Sequence, residues 1–110
     1  MNPQFVIATY EVAEQNQQEF ISLLHETEKV MRDEQLITSK TISRMSSIMN
    51  PKIIIEVFEW VDSEAFDRAQ KNPAVLNMWG KYENLWERGG FGMNEVPESN
   101  QPWSQFKSID

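Results

Sequence analysis

Apolar and polar positions regroup along this chain in a way that predicts its elements in turn. Phe5 to Val12 is rich in β-branched and aromatic residues and predicts a first strand. Phe20, Leu23, Leu24, Thr27, Val30 and Met31 then recur at helical spacing, a stripe about a hundred degrees wide, so a helix is expected to run to about Glu34. Asn16 with Glu19 three residues on has the form of a capping box at its start. Leu36 to Ile48 alternates weakly and is rich in Ser and Thr, which predicts a long, half-exposed second strand. Met49-Asn50-Pro51 makes a turn, so strand two and a third strand, Ile53 to Trp60, are expected to form a hairpin.

Asp62 or Ser63 should cap a short helix with Glu64 in its first turn, where the helix dipole favours an acid. Pro73 interrupts that helix and suits the first turn of another, which carries the stripe Val75, Met78, Trp79, Tyr82, Leu85 and Trp86 until Gly89-Gly90 ends it. Phe91 to Val96 reads as a short last strand. Residues 97–110 read as an extended polar tail beyond a domain spanning 1–96, with Trp103, Phe106 and Ile109 as its apolar anchors.

The order βαββαβ predicts an α+β fold: two helices on one face of a four-stranded antiparallel sheet, the ferredoxin-like arrangement. Along the third strand Ile53, Ile55 and Val57 point one way and Ile54, Phe58 and Trp60 the other, so both faces are apolar. One face meets the helices. The other is expected to meet a second subunit or a ligand, since a bare sheet face would be a large exposed apolar patch, and a homodimer follows.

Composition narrows the function classes. The 110 residues suit one domain, and ten basic against seventeen acidic residues give a net charge of −7, which disfavours nucleic acid and anionic membrane surfaces. No apolar run near the N-terminus is long enough for a signal peptide or a membrane span, so a cytoplasmic protein is expected. The absence of cysteine removes disulfides, thiolate metal sites and cysteine nucleophiles, and no grouping of His, Asp and Glu has metal-ligand spacing. Gly89-Gly90 with Gly92 follows a helix rather than a strand and lacks the Lys of a phosphate loop.

Among chemistry-bearing residues, the lone His25 lies off the apolar stripe of its helix among Glu26, Glu28 and Lys29, which makes it a solvated surface residue. Glu56 sits between Ile54 and Phe58, where an ionised carboxylate is costly unless paired. Two readings stand: a cross-strand pair with Arg44 or Lys40, which is favoured, or a general acid or base of raised pKa. A three-residue hairpin loop at Met49 to Pro51 places Arg44 opposite Glu56. Trp79, Tyr82 and Trp86 share one helical stripe and so suit the core, whereas Tyr10 and Trp60 each carry a polar atom on an apolar strand and suit either the lining of a cavity or structural burial.

The run Glu56-Val-Phe-Glu-Trp-Val-Asp-Ser-Glu-Ala-Phe66, followed by Asn72-Pro73 and a Trp-bearing helix, resembles the antibiotic biosynthesis monooxygenase-like family over about residues 4–96. The resemblance implies subunits that pair their sheets into a dimeric α/β barrel, each with a cavity between sheet and helices. Its members include cofactor-free monooxygenases of aromatic polyketides, haem-degrading enzymes and proteins without assigned activity. Gln70 stands where many members carry a His in the short helix. Thr9, Ala69 and Trp79 align with the Asn, Trp and His of the haem-degrading members, so haem is not expected as a cofactor. Two functions follow as expectations. One is a cofactor-free monooxygenase acting on a small aromatic or apolar molecule, with Glu56 or Tyr10 as proton acceptor and Trp60, Gln70 and Trp79 placing the substrate. The other is a non-catalytic dimeric protein, small-molecule-binding or stress-related, that keeps the cavity.

Overall fold

A computed structural model describes residues 2–110. Among these residues the chain forms an α+β fold with a five-stranded antiparallel sheet and three α-helices: β1 (Gln4–Val12), α1 (Gln17–Asp33), β2 (Ser43–Ser46), β3 (Ile53–Trp60), α2 (Ala65–Ala69), α3 (Pro73–Tyr82), β4 (Trp86–Gly89) and β5 (Lys107–Ser108). The strand order is β4-β1-β3-β2-β5. No helix is long and apolar enough to cross a membrane, again among the described residues.

Local chemistry accounts for most element ends. α1 buries Phe20, Leu23, Leu24, Thr27 and Met31, the expected stripe, but Asn16 makes no capping bond. Its amide donates instead to Leu85 O at 3.3 Å, tying the start of α1 to the approach of β4. Asp62 Oδ1 accepts from Glu64 N at 2.8 Å before α2. Asn72 Oδ1 accepts from Ala74 N and Val75 N, capping α3 with Pro73 in its first turn.

Three elements differ from expectation. β2 spans only Ser43–Ser46; Leu36, Ile37 and Ile42 turn inward to the core shared with Phe58 and Trp60, and Ile37 touches the sheet by a single bridge to Trp60. α3 ends at Tyr82, and Trp86 opens β4 rather than closing a helix, pairing with Val12. The last sheet-forming segment before the tail is therefore Trp86–Gly89, not Phe91–Val96. The Trp86 ring folds back over Gly89, where an added Cβ would lie 2.2 Å from a ring carbon, so the packing requires glycine there. Gly90, at φ +75°, then turns the chain across to the other face of the sheet.

Part of that second face, where a second subunit or a ligand was expected, is covered by the chain itself. Val96 is fully buried against Ile53 and Ile55, with Phe91, Met93 and Phe106 packed around them. Glu98, also fully buried, clamps the β2–β3 loop: its carboxylate accepts from Ser47 Oγ at 2.8 Å, Ile48 N at 2.7 Å and Met49 N at 3.0 Å. Burial acts upward on the Glu98 carboxyl, but those donors outweigh it and hold its pKa below the ordinary carboxylate value. β5 then adds to the sheet edge beside β2. Of the expected anchors, Phe106 and Ile109 are half-buried, whereas Trp103 is 92% exposed. The cover is incomplete, leaving Phe5 63% and Ile7 54% exposed at the other end of that face.

Glu98→Ala strands two backbone N–H groups of the loop and should lower stability by about 2–3 kcal/mol in urea unfolding, whereas Trp103→Ala should stay within about 0.5 kcal/mol. A Glu98 effect no larger than that of Trp103 would show that the loop does not depend on the clamp.

Candidate functional site

On the sheet face under the helices, β2 and β3 present one buried pair of charged side chains, Arg44 and Glu56. These two are directly opposed across the hairpin, as the three-residue loop predicted. Arg44, with its side chain 2% exposed, turns each of its three guanidinium nitrogens to a carboxylate. Nε donates to Glu56 Oε2 at 2.9 Å, Nη2 to Glu28 Oε1 at 2.7 Å and Nη1 to Asp110 Oδ2 at 2.6 Å. Glu28 also accepts from Arg32 Nη2 at 2.8 Å, and Asp110 Oδ1 lies 2.9 Å from His25 Nε2. Lys40, the other partner considered for Glu56, reaches Glu59 instead, at 3.3 Å.

The cavity side of this network ends at Tyr10, whose hydroxyl donates to Glu56 Oε1 at 3.0 Å. Burial is the main reason that the Glu56 carboxyl is pushed up; the charge of Arg44 and the bonds from Tyr10 and Arg44 offset it only in part. Burial, followed by the charge of Glu56, raises Tyr10 far above the ordinary phenol value. Tyr10 thus donates its hydrogen bond to Glu56 and, with its hydroxyl proton held there, is the poorer proton acceptor of the two candidates. Burial works upward on Glu28 too, but hydrogen bonds and charge from Arg44 and Arg32 prevail and lower it. Arg44 leads the interactions that lower Asp110.

Above Glu56 and Tyr10, between β1, β3, α2 and α3, lies a cavity of about 550 Å³. Trp60, Phe66 and Trp79 form one aromatic wall, with ring centroids 6.1 Å and 6.4 Å apart in sequence. Tyr10, Tyr82 and Trp86 form the other, with Tyr10 edge-on to Tyr82 at 5.9 Å and stacked on Trp86 at 6.0 Å. Exposed Phe66 and Leu76 stand at the mouth, and Gly80 leaves it open, since a Cβ there would meet nothing within 4 Å.

Of the five residues singled out from sequence, Tyr10, Glu56, Trp60 and Trp79 come together around this cavity. Gln70 does not: it is exposed at the C-terminal end of α2, whose buried face is Ala65 and Ala69. Tyr82 and Trp86, which the helical stripe assigned to core, line the cavity as well as packing the core. Tyr82 Oη donates to Thr27 Oγ1 at 2.8 Å. The roles of Glu28 and Asp110 rest on contacts 16 and 66 residues from Arg44 and had no local signal. His25 is exposed as expected but tied to Asp110. No group of three metal-ligating side chains forms among the described residues.

Removing one side of the buried pair strands the other. Arg44→Met and Glu56→Gln should each cost about 3–5 kcal/mol, and the double variant clearly less than their sum; additive costs in thermal unfolding would mean the two do not interact. The pH response has two opposite parts. Glu28 and Asp110, with lowered pKa values, stabilise the fold at neutral pH and lose that contribution as pH falls through those values, so Asp110→Asn should flatten the acid limb of the stability curve below about pH 4. Glu56, raised on folding, acts the other way, favouring the folded state at low pH and losing that contribution as the pH climbs through its pKa.

No family model and no curated protein matches the chain. Solved structures do. A conserved protein from Methanosarcina mazei Go1 superposes with a TM-score of 0.67 at 18% identity, over 82% of this chain and 88% of that one. A protein from Shewanella oneidensis superposes with a TM-score of 0.60, also at 18% identity, over 81% of this chain and 91% of its own. At that identity the likeness shows a shared fold.

Proposed function

We propose that the chain belongs to the antibiotic biosynthesis monooxygenase-like family, as a ferredoxin-like subunit of a dimeric α/β barrel, and that it oxidises a small aromatic molecule with molecular oxygen and no cofactor. The observation that carries this is the aromatic-walled cavity of about 550 Å³ with a buried carboxylate of raised pKa at its floor. The order β4-β1-β3-β2 supports the ferredoxin-like subunit. Phe5 and Ile7, exposed beside half-buried Val57, supply an apolar patch for the subunit contact.

In this reading the aromatic walls hold the substrate flat, and Glu56 takes a proton from an acidic C–H between aromatic rings. The carbanion then gives its electrons to oxygen. One oxygen atom becomes the carbonyl of the product, and the other leaves as water with the two hydrogens of the former methylene. Tyr10 and Arg44 steady the carboxylate. Trp60 and Trp79 place the ring system from the wall that they share with Phe66.

A second reading, a non-catalytic small-molecule-binding protein, is favoured by one observation: both Glu56 oxygens already accept a hydrogen bond, from Tyr10 and from Arg44, which weakens the carboxylate as a base.

With a polyphenolic anthrone as substrate, wild type should consume oxygen and Glu56→Gln should lower the rate by about 10²-fold or more. Because that variant leaves Arg44 short of a partner, Gly80→Leu is the companion. It should raise helix stability by up to about 1 kcal/mol while filling the cavity mouth and abolishing turnover. Binding without oxygen uptake would select the second reading. Sedimentation should show a species of twice the 12.9 kDa chain mass at micromolar concentration, and a lone 12.9 kDa species would remove the barrel.

A further inference from the structure

The cavity has a charge that its aromatic walls conceal. Two guanidiniums, Arg44 and Arg32, face three carboxylates, Glu28, Glu56 and Asp110, so with His25 counted as neutral this hydrogen-bonded network carries one net negative charge. Its one carboxylate on the cavity is Glu56. Glu83, exposed on α3's C-terminal end, adds a second acid to the lining, and none of the lining residues is Lys, Arg or His. Arg44 contributes to the network from behind Glu56 and is not part of the lining.

The hydrogen-bonding capacity points the same way. Tyr10 and Tyr82 have both committed their hydroxyl protons, to Glu56 and to Thr27, so these two hydroxyls meet a ligand as acceptors. Each Glu56 oxygen accepts one bond inside the protein and keeps a free lone pair. The walls of Trp60, Phe66, Trp79 and Trp86 present ring faces that attract cations.

Resting on the second reading, of this cavity as a non-catalytic ligand site in which Glu56 holds a ligand and takes no proton from it, we propose that it selects a cationic amine borne on an aromatic body, the ammonium seated at Glu56 and Tyr10. Such a ligand supplies the positive charge and the donors that the floor lacks. A carboxylate of the same shape would meet an acidic floor with no cation to pair it.

Three probes of one shape test this by calorimetry at pH 7: 2-naphthylmethylamine, 2-naphthylmethanol and 2-naphthoate, each against wild type and Gly80→Leu. The amine should bind at least tenfold tighter than the alcohol, the carboxylate should be weakest, and Gly80→Leu should weaken the amine at least tenfold. If the alcohol or carboxylate binds as tightly as the amine and Gly80→Leu still weakens it, the charge selection is wrong and the cavity stands as a ligand site. Amine binding that Gly80→Leu leaves unchanged would be attraction to the acidic surface and would overturn the proposal. Failure of all three probes to bind at millimolar concentration would overturn the ligand site with it.

Discussion

The Arg44 guanidinium is the point on which the structure turns. Its side chain is 2% exposed, and a cation so placed is tolerable only when its charge is matched by hydrogen-bonded partners. The matching groups come from three directions: Glu28 on α1, Glu56 on β3 and Asp110 just beyond β5. One side chain on a four-residue strand therefore ties the long helix, the central hairpin and the end of the described chain to one position. Hydrophobic burial elsewhere is non-directional and would allow α1 to slide over the sheet. The bidirectional demands of these charges set its place, and the same demands leave Glu56 facing the cavity with a perturbed carboxyl.

A second constraint is the apolar outer face of β3. Ile53 and Ile55 are nearly as deeply buried as Ile54 on the helix side, yet none of the three α-helices covers them. The segment after Gly90 does so, with Val96 as its centre and Glu98 as its fastening. The cost of burying Glu98 is offset by backbone donors in a loop that otherwise has no use for them. Cover stops short of Phe5 and Ile7, so the sheet leaves one apolar area exposed and surrenders the other to its own chain.

The candidate site combines these two devices. The network that fixes α1 also sets the charge at the cavity floor, and the turn at Gly89-Gly90 that sends the chain to the outer face also seats Trp86 against Tyr10 and Tyr82. Structural and chemical roles are not separable at Glu56: it is half of a buried pair and the polar end of the cavity at once. Gln70 illustrates the converse. A motif offset placed it near the substrate, but α2 is only five residues long and buries its two alanines, which turns Gln70 to solvent.

What the sequence alone determined was local or of short span. The α1 stripe, β3, the start of α3 at Pro73 and the Arg44–Glu56 register all follow from periodicity, the backbone limits of proline and the length of one hairpin loop. Tyr10 and Trp60 were readable as residues of either a cavity or the core because each carries a polar atom on an apolar strand, and Glu56 as one half of a cross-strand pair. Tertiary structure alone decided the rest. Tyr82 and Trp86 are four residues apart, a spacing that a helix and a strand beginning after a turn satisfy equally, and only pairing with Val12 made Trp86 a strand residue. Leu36 to Ile42 had composition for a strand but found a better partner in the core. The cover over Ile53 and the carboxylates around Arg44 join residues dozens of positions apart. Their energy comes from burial and charge pairing that exist only once the chain has closed on itself, so no local pattern of residue types can record them.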